Sequence, residues 1–127
     1  MVANAQPEHG YVSITRDWRR GDTVELDLPM PVHQVTGNPH IAATASLVAL
    51  ERGPVVYCVE ELGQKVVPDS LAAPLDIAIR EQPALLGGVT VLEIKGHDAR
   101  PLTAIPYFAW NNRGLAPMAV WLPQPAK

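Results

Sequence analysis

Glu60 and Glu61 are the one adjacent acidic pair in the chain. Two carboxylates roughly 5 to 9 Å apart would suit glycosidic-bond cleavage, one acting as acid and the other as nucleophile or base. Neighbours on a strand point to opposite faces, so this pair cannot flank a single bond, and the expected setting is a solvated strand end. Glu25, Asp27, Asp76 and Glu93 fall on the polar phases of alternating segments, as a wet sheet face requires. His9, His33, His40 and His97 are scattered without a ligand-like repeat, so no metal site is expected of them. Cys58 is the sole cysteine, which excludes an internal disulfide and a four-thiolate zinc site. It sits in an apolar run with no basic neighbour, the setting of an inert core thiol. Ser13, Ser46 and Ser70 lack a Gly-x-Ser-x-Gly context, and Gly87 and Gly88 read as a turn rather than a phosphate loop. No catalytic residue is expected in this chain.

The aromatic residues are the other group with chemical potential. Residues 105–114 (IPYFAWNNRG) and 118–121 (MAVW) together hold four of the seven aromatics. Read as a regular strand, residues 102–110 place Phe108 and Trp110 on one face and Tyr107 on the other. Three uses are open: an intradomain core, an interface involving Tyr107, Phe108, Trp110 and Arg113, or a carbohydrate platform of Tyr107, Trp110 and Trp121. Arg113, in the Asn-Asn-Arg-Gly turn, is either a solvated turn arginine or a bidentate partner for a carboxylate across an interface.

The elements that must position these groups are short. Residues 10–16 alternate with Val12 and Ile14 on one phase, and residues 23–28 alternate with Val24, Leu26 and Leu28 inward. Together they predict a hairpin around the turn at residues 18–22. Pro29 and Pro31 would interrupt a central ladder, so an edge or a crossing between sheets follows. A short strand is expected over 32–36, and one or two helical turns over 40–46. Strands are expected over 47–51 and 55–60 around the Gly53-Pro54 turn, the second buried from both sides. Residues 75–79 and 89–95 alternate as well, and residues 63–74 form the main internal loop. These signals give about eight to ten short strands, no long helix and no internal repeat, hence an all-β, antiparallel, jelly-roll-like β-sandwich. At 127 residues the chain is expected to be a single domain over 1–127.

A net charge of −3 offers no footprint for nucleic acid or an anionic membrane. Nothing resembles a signal peptide or a membrane-spanning run, so a soluble chain is expected, cytoplasmic by default.

Four blocks carry a resemblance, in order along the chain. They are residues 10–22 (GYVSITRDWRRGD), 24–32 (VELDLPMPV), 48–57 (VALERGPVVY), and 105–114 with 118–121. They resemble the C-terminal β-sandwich region of glycoside hydrolase family 127, the β-L-arabinofuranosidase-like enzymes. The resemblance implies an accessory domain rather than a catalytic one. The family's zinc-bound cysteine nucleophile and glutamate acid/base belong to a helical barrel with no counterpart in these residues, and Cys58 matches none of its cysteines. No catalytic residue and no cofactor carry over. The implied role is a noncatalytic structural or interface domain, with a carbohydrate-binding module as the alternative. Its expected partner is the barrel of a parent enzyme or a second copy of the chain. The family's strand resembling Arg-Ile-Pro-x-Trp does not precede Gly10, which predicts an edge open to a dimer partner or covered by the N-terminal segment.

Overall fold

The computed structural model describes residues 7–64, 71, 74–95 and 101–124. Among them are eight strands: β1 (Val32–Thr36), β2 (Leu47–Arg52), β3 (Val55–Glu60), β4 (Ile77–Gln82), β5 (Val89–Lys95), β6 (Pro101–Pro106), β7 (Met118–Ala119) and β8 (Leu122–Pro123). All pairings between them are antiparallel, in the order β1-β2-β3-β6-β5-β4, with β7 added to β3 and β8 to β2. The all-β, antiparallel expectation holds.

The pairing of β2 with β3 explains how one sheet encloses a core. It is confined to Glu51–Val56 and Arg52–Val55, beside the turn. Beyond it, β2 pairs with β1 and β8, whereas β3 pairs with β6 and β7. The two strands therefore part, and the sheet curls into two facing portions as in a sandwich. Leu50 and Leu122 from one portion meet Tyr57, Val59, Leu92, Ile94, Leu102 and Ala104 from the other. Fully burying one such aliphatic side chain is worth about 1.5 to 3 kcal/mol. Leu71, wholly buried, fills the same core from the segment after β3. Most of the loop expected over residues 63–74 lies outside the described residues.

A second, smaller cluster lies on the other face of β3, β5 and β6, built on Cys58, Val89, Val91, Ile105 and Ala109. Strand β3 thus sends Tyr57 and Val59 to one cluster and Cys58 to the other, as its two apolar phases require. At the end of β3 the Gln64 side chain takes over from the backbone. Its amide accepts from Thr103 N–H at 2.9 Å and donates to the carbonyls of Thr103 at 2.9 Å and Glu60 at 3.1 Å, bridging β3 and β6.

Three local expectations, the hairpin and two strands, need correction. The predicted hairpin over 10–16 and 23–28 is not formed. Its arms carry no ladder among the described residues, and the nearest pairing is the isolated Glu8–Tyr11 bridge. Every described residue from 7 to 29 is exposed. The pattern is strand-like, but no layer of this fold lies against it, and an isolated two-stranded hairpin gains too little to hold together. Second, the strand expected over residues 102–110 stops at Pro106, whose ring removes the next donor. Tyr107–Ala109 then form a 3-10 turn. Third, the strand read over residues 75–79 is set later, at Ile77–Gln82, whereas the short helical turn expected over 40–46 is present as the 3-10 turn Ala42–Thr44.

The N-terminal segment joins the body at Met30, which packs over the turn between β2 and β3. Gly53 has φ +55 there, a left-handed conformation that favours glycine, and a Cβ would press against the Met30 side chain, 3.0 Å from its Cε.

Candidate functional site

Strand β3 ends in a buried charge. Glu60 follows Cys58 on the same phase, and its side chain is wholly inaccessible to solvent. The solvated strand end expected for Glu60 is therefore wrong; Glu61 alone is exposed. The two carboxylates do point to different environments, as strand alternation demands.

The residues that satisfy Glu60 come from the aromatic turn. Arg113 places Nε at 3.1 Å and a terminal nitrogen at 2.6 Å from the same carboxylate oxygen, Oε2. The other oxygen, Oε1, accepts the backbone N–H of Asn111 at 2.9 Å. Asn111 adopts φ 65, a left-handed conformation that asparagine tolerates better than most residues. Arg113 is thus engaged inside the chain, a partner for a carboxylate as one reading had it, but not one across an interface.

Further contacts fix the turn. Trp110 N–H donates to Tyr107 O at 3.1 Å. The Asn112 amide donates to Ala109 O at 3.1 Å and Trp110 O at 3.3 Å. Ala109 is buried in the second cluster and anchors the turn from below. Glu61 N–H donates to Pro117 O at 2.9 Å, and β7 pairs Met118 with Glu60, so the chain leaving the turn is tied to the same strand.

What this frame displays is apolar. Tyr107 is 45% exposed, Phe108 72% and Trp110 38%. Tyr107 and Trp110 stack with ring centroids 6.1 Å apart and planes 26° apart. Their spacing of three, which would divide them between the faces of a strand, unites them on a 3-10 turn, where positions i and i+3 eclipse. Phe108 stands apart from the pair. Trp121, partly buried in the bend between β7 and β8, is not stacked with either ring.

Acid–base and nucleophilic chemistry find little support here. The Glu60 carboxylate is consumed by Arg113 and Asn111. Burial, with a smaller push from Glu60 and a small opposing pull from Arg113, raises the Cys58 thiol to about 11. It is therefore a neutral core group at ordinary pH. His9, His33 and His40 are exposed and apart, and His97 lies outside the described residues. Among the described residues no group of three His, Cys, Asp or Glu side chains converges. No helix among them is long and apolar enough to cross a membrane.

The Glu60 anchorage was missed in the sequence although a signal existed. Glu60 continues the Cys58 phase of a strand apolar on both faces, so alternation points it inward. An inward carboxylate calls for a fixed cation.

Comparison with known proteins identifies the family. Residues 32–123 match the glycoside hydrolase family 127 C-terminal domain, and residues 1–30 match the β-L-arabinofuranosidase GH127 middle domain. A non-reducing end β-L-arabinofuranosidase of Bifidobacterium longum subsp. longum is 29% identical over 155 aligned positions, covering 95% of this chain and 23% of that protein. A GH127 β-arabinofuranosidase structure superposes with TM-score 0.78 at 33% identity, covering 94% of this chain and 21% of the other. The crystal structure of a GH127 β-L-arabinofuranosidase from Geobacillus stearothermophilus gives TM-score 0.65 at 33% identity, covering 76% and 18%. The chain therefore spans about a fifth to a quarter of the length of these relatives. The family boundary falls at Met30–Val32, where the exposed segment meets β1, and the chain belongs to glycoside hydrolase family 127, matching that family's C-terminal domain over most of its length.

Proposed function

We propose that this chain is a noncatalytic framework domain of a β-L-arabinofuranosidase-like enzyme, and that its aromatic turn is the face it presents to a neighbouring part of that enzyme. The observation that carries the reading is the pairing of rigidity with apolar display. A buried ion pair and three backbone-directed hydrogen bonds fix the turn, while Phe108 remains 72% exposed at its tip. A preorganised apolar surface loses little entropy on docking, which suits a standing contact between domains. The partner that fits the family resemblance is the helical barrel of the parent enzyme. A second copy of the chain is the other candidate.

Zinc chemistry does not fit the residues described. A catalytic zinc site needs three protein donors around an open position, whereas Cys58 is a lone buried thiol and no three donors converge among the described residues. Any zinc-dependent step is assigned to a part of the parent enzyme outside this sequence match.

A second reading, sugar binding, is favoured by the Tyr107–Trp110 stack, because paired exposed rings suit the apolar face of a sugar. In that reading Trp121 would be a further contact. Both readings are tested on the chain itself. Arabinofuranosides are titrated while tryptophan fluorescence is followed, and turnover of p-nitrophenyl β-L-arabinofuranoside is measured. The framework role expects neither a saturable change nor turnover. A saturable change abolished by Trp110→Ala would establish the sugar platform instead, and zinc-dependent turnover would refute the noncatalytic assignment.

A further inference from the structure

Arg52, at the end of β2, is poorly served for a part-buried cation. Its Nε is buried without a hydrogen-bond partner, and no ion pair among the described residues includes it. The acceptor it does have is a thioether, with Nη1 3.8 Å from Met30 Sδ. Sulfur of that kind accepts weakly, whereas a guanidinium carries five donors and bonds best to a charged or strongly dipolar oxygen. Arg113, by contrast, meets a carboxylate oxygen at 2.6 Å.

Met30 is held where this contact is made. Its side chain lies across Gly53, where an added Cβ would stand 3.0 Å from Cε and 3.1 Å from Cγ. Gly53 N–H donates to Pro31 O at 3.3 Å, and Val32 pairs with Arg52 in the ladder, so the backbone following Met30 is fixed to the same turn. Met30 is half-buried and every described residue before it is exposed, so a small oxidant can approach. One inserted oxygen fits the gap between sulfur and nitrogen. An S–O bond of about 1.5 Å and an O···H–N contact of about 2.8 Å together span 3.8 Å when the angle at oxygen is about 120°, a direction in which a lone pair accepts.

We infer that Met30 is a reversible modification site, oxidised by a peroxide to the sulfoxide, and that Arg52 makes the product a clamp where the segment before β1 joins the sheet. The sulfur lone pair attacks one peroxide oxygen and the O–O bond breaks. The leaving hydroxide takes the proton of the transferred oxygen and departs as water, so sulfur loses two electrons and the peroxide gains them. Reduction by a dithiol through methionine sulfoxide reductase returns the thioether, with water and a disulfide as the other products. A sulfoxide ordinarily disrupts apolar packing, because it makes an apolar side chain polar. Beside Arg52 it instead replaces a weak sulfur acceptor by a strong oxygen one. Residues 1–30 and 32–123 match different domains of the family, so the clamp acts at their junction. The inference rests on neither reading of the aromatic turn.

The experiment adds hydrogen peroxide to the chain carrying Met118→Leu, a nearly volume-conserving change that leaves Met1 and Met30 as its methionines. Peptide mass spectrometry follows the gain of one oxygen at each. Oxidation of Met30 should raise Tm by about 3 to 5 °C and slow hydrogen exchange of the Gly53 amide. The two epimer-specific methionine sulfoxide reductases together should return both to their starting values. In Arg52→Leu the same oxidation should lower Tm. Arg52→Lys, the comparison to use where Arg52→Leu does not fold, should show less than half of the rise, because a point charge cannot reproduce the guanidinium plane. Met30→Leu should show no shift, which separates Met30 from Met1 and Cys58. A fall in Tm on oxidation with Arg52 present would overturn the inference. So would an equal change with and without Arg52, an undiminished rise in Arg52→Lys, the same shift in Met30→Leu, unaltered Gly53 exchange, or a Met30 that takes up no oxygen while Met1 does.

Discussion

Replacing Arg113 by alanine should destabilise this domain far more than loss of an ordinary turn arginine. Glu60 keeps only the Asn111 N–H when both guanidinium contacts are removed. Its side chain is fully buried, while that of Arg113 is 28% exposed. Stripping one partner from a buried pair costs about 3 to 5 kcal/mol, because a charge is left without compensation. Water reaching the vacated, partly open arginine site places the cost near the lower end, about 3 kcal/mol. For a chain of this size that corresponds to a fall in Tm of roughly 10 °C. Urea titration of Arg113→Ala, Glu60→Gln and the double variant gives the coupling directly. Arg113→Lys should recover only part of the loss, since a point charge cannot reproduce the planar fork. The near-ultraviolet circular dichroism of the Tyr107–Trp110 pair should weaken together with stability, because the same contacts hold the turn. A loss of only about 0.5 kcal/mol, the range of exposed ion pairs, would refute the buried-anchor argument. An unchanged aromatic signal in a destabilised variant would refute the claim that the pair holds the turn.

Two further predictions concern the frame around this anchor. The Cys58 thiol, raised from an ordinary 9.0 to about 11 chiefly by burial, loses its proton first in the unfolded chain. Its contribution to stability is therefore complete below pH 9 and drains as pH rises toward 11, with a slope of at most about 1.4 kcal/mol per pH unit from this group. Burial also raises Tyr57, which extends the decline in the same direction. Urea midpoints between pH 8 and 11 check it, and flat stability would contradict the burial argument. Gln64→Ala should cost about 1 to 3 kcal/mol, because the part-buried Thr103 N–H loses its partner. Thermal melting checks this, with Gln64→Glu as the variant that keeps an acceptor but loses both donated bonds.

How much of this was legible in the sequence follows from the range of the interactions. Strands β1, β2, β3 and β5 were readable because alternation and turn residues act locally, and β3 was readable as doubly buried because both its phases are apolar. The N-terminal arms show the limit of the same signal. Their period of two says that the segment fits a sheet, but not which sheet, and no layer of this fold covers it. The aromatic turn failed differently. Spacing of three has opposite meanings on a strand and on a 3-10 turn, and Pro106 decides between them by ending β6. The Glu60–Arg113 pair spans 53 residues, and no local pattern matches a buried carboxylate to a distant arginine. The phase of Glu60 was local information and pointed inward; the doublet with Glu61 hid it.

The chain presents two apolar surfaces of different physical kinds, and the difference predicts how each is used. The aromatic turn is held by contacts within the chain, so under the interface role proposed above docking on it would lose little conformational freedom, and area at Phe108 would convert efficiently into affinity. The N-terminal arms have only their turn in place, so any contact that orders them must fix about ten further residues at roughly 1 to 2 kcal/mol each in backbone entropy. At the aromatic turn, losses should scale with the area removed, Phe108→Ala costing more than Tyr107→Phe. Equal losses from Phe108→Ala and Tyr107→Phe would refute the argument from exposed area.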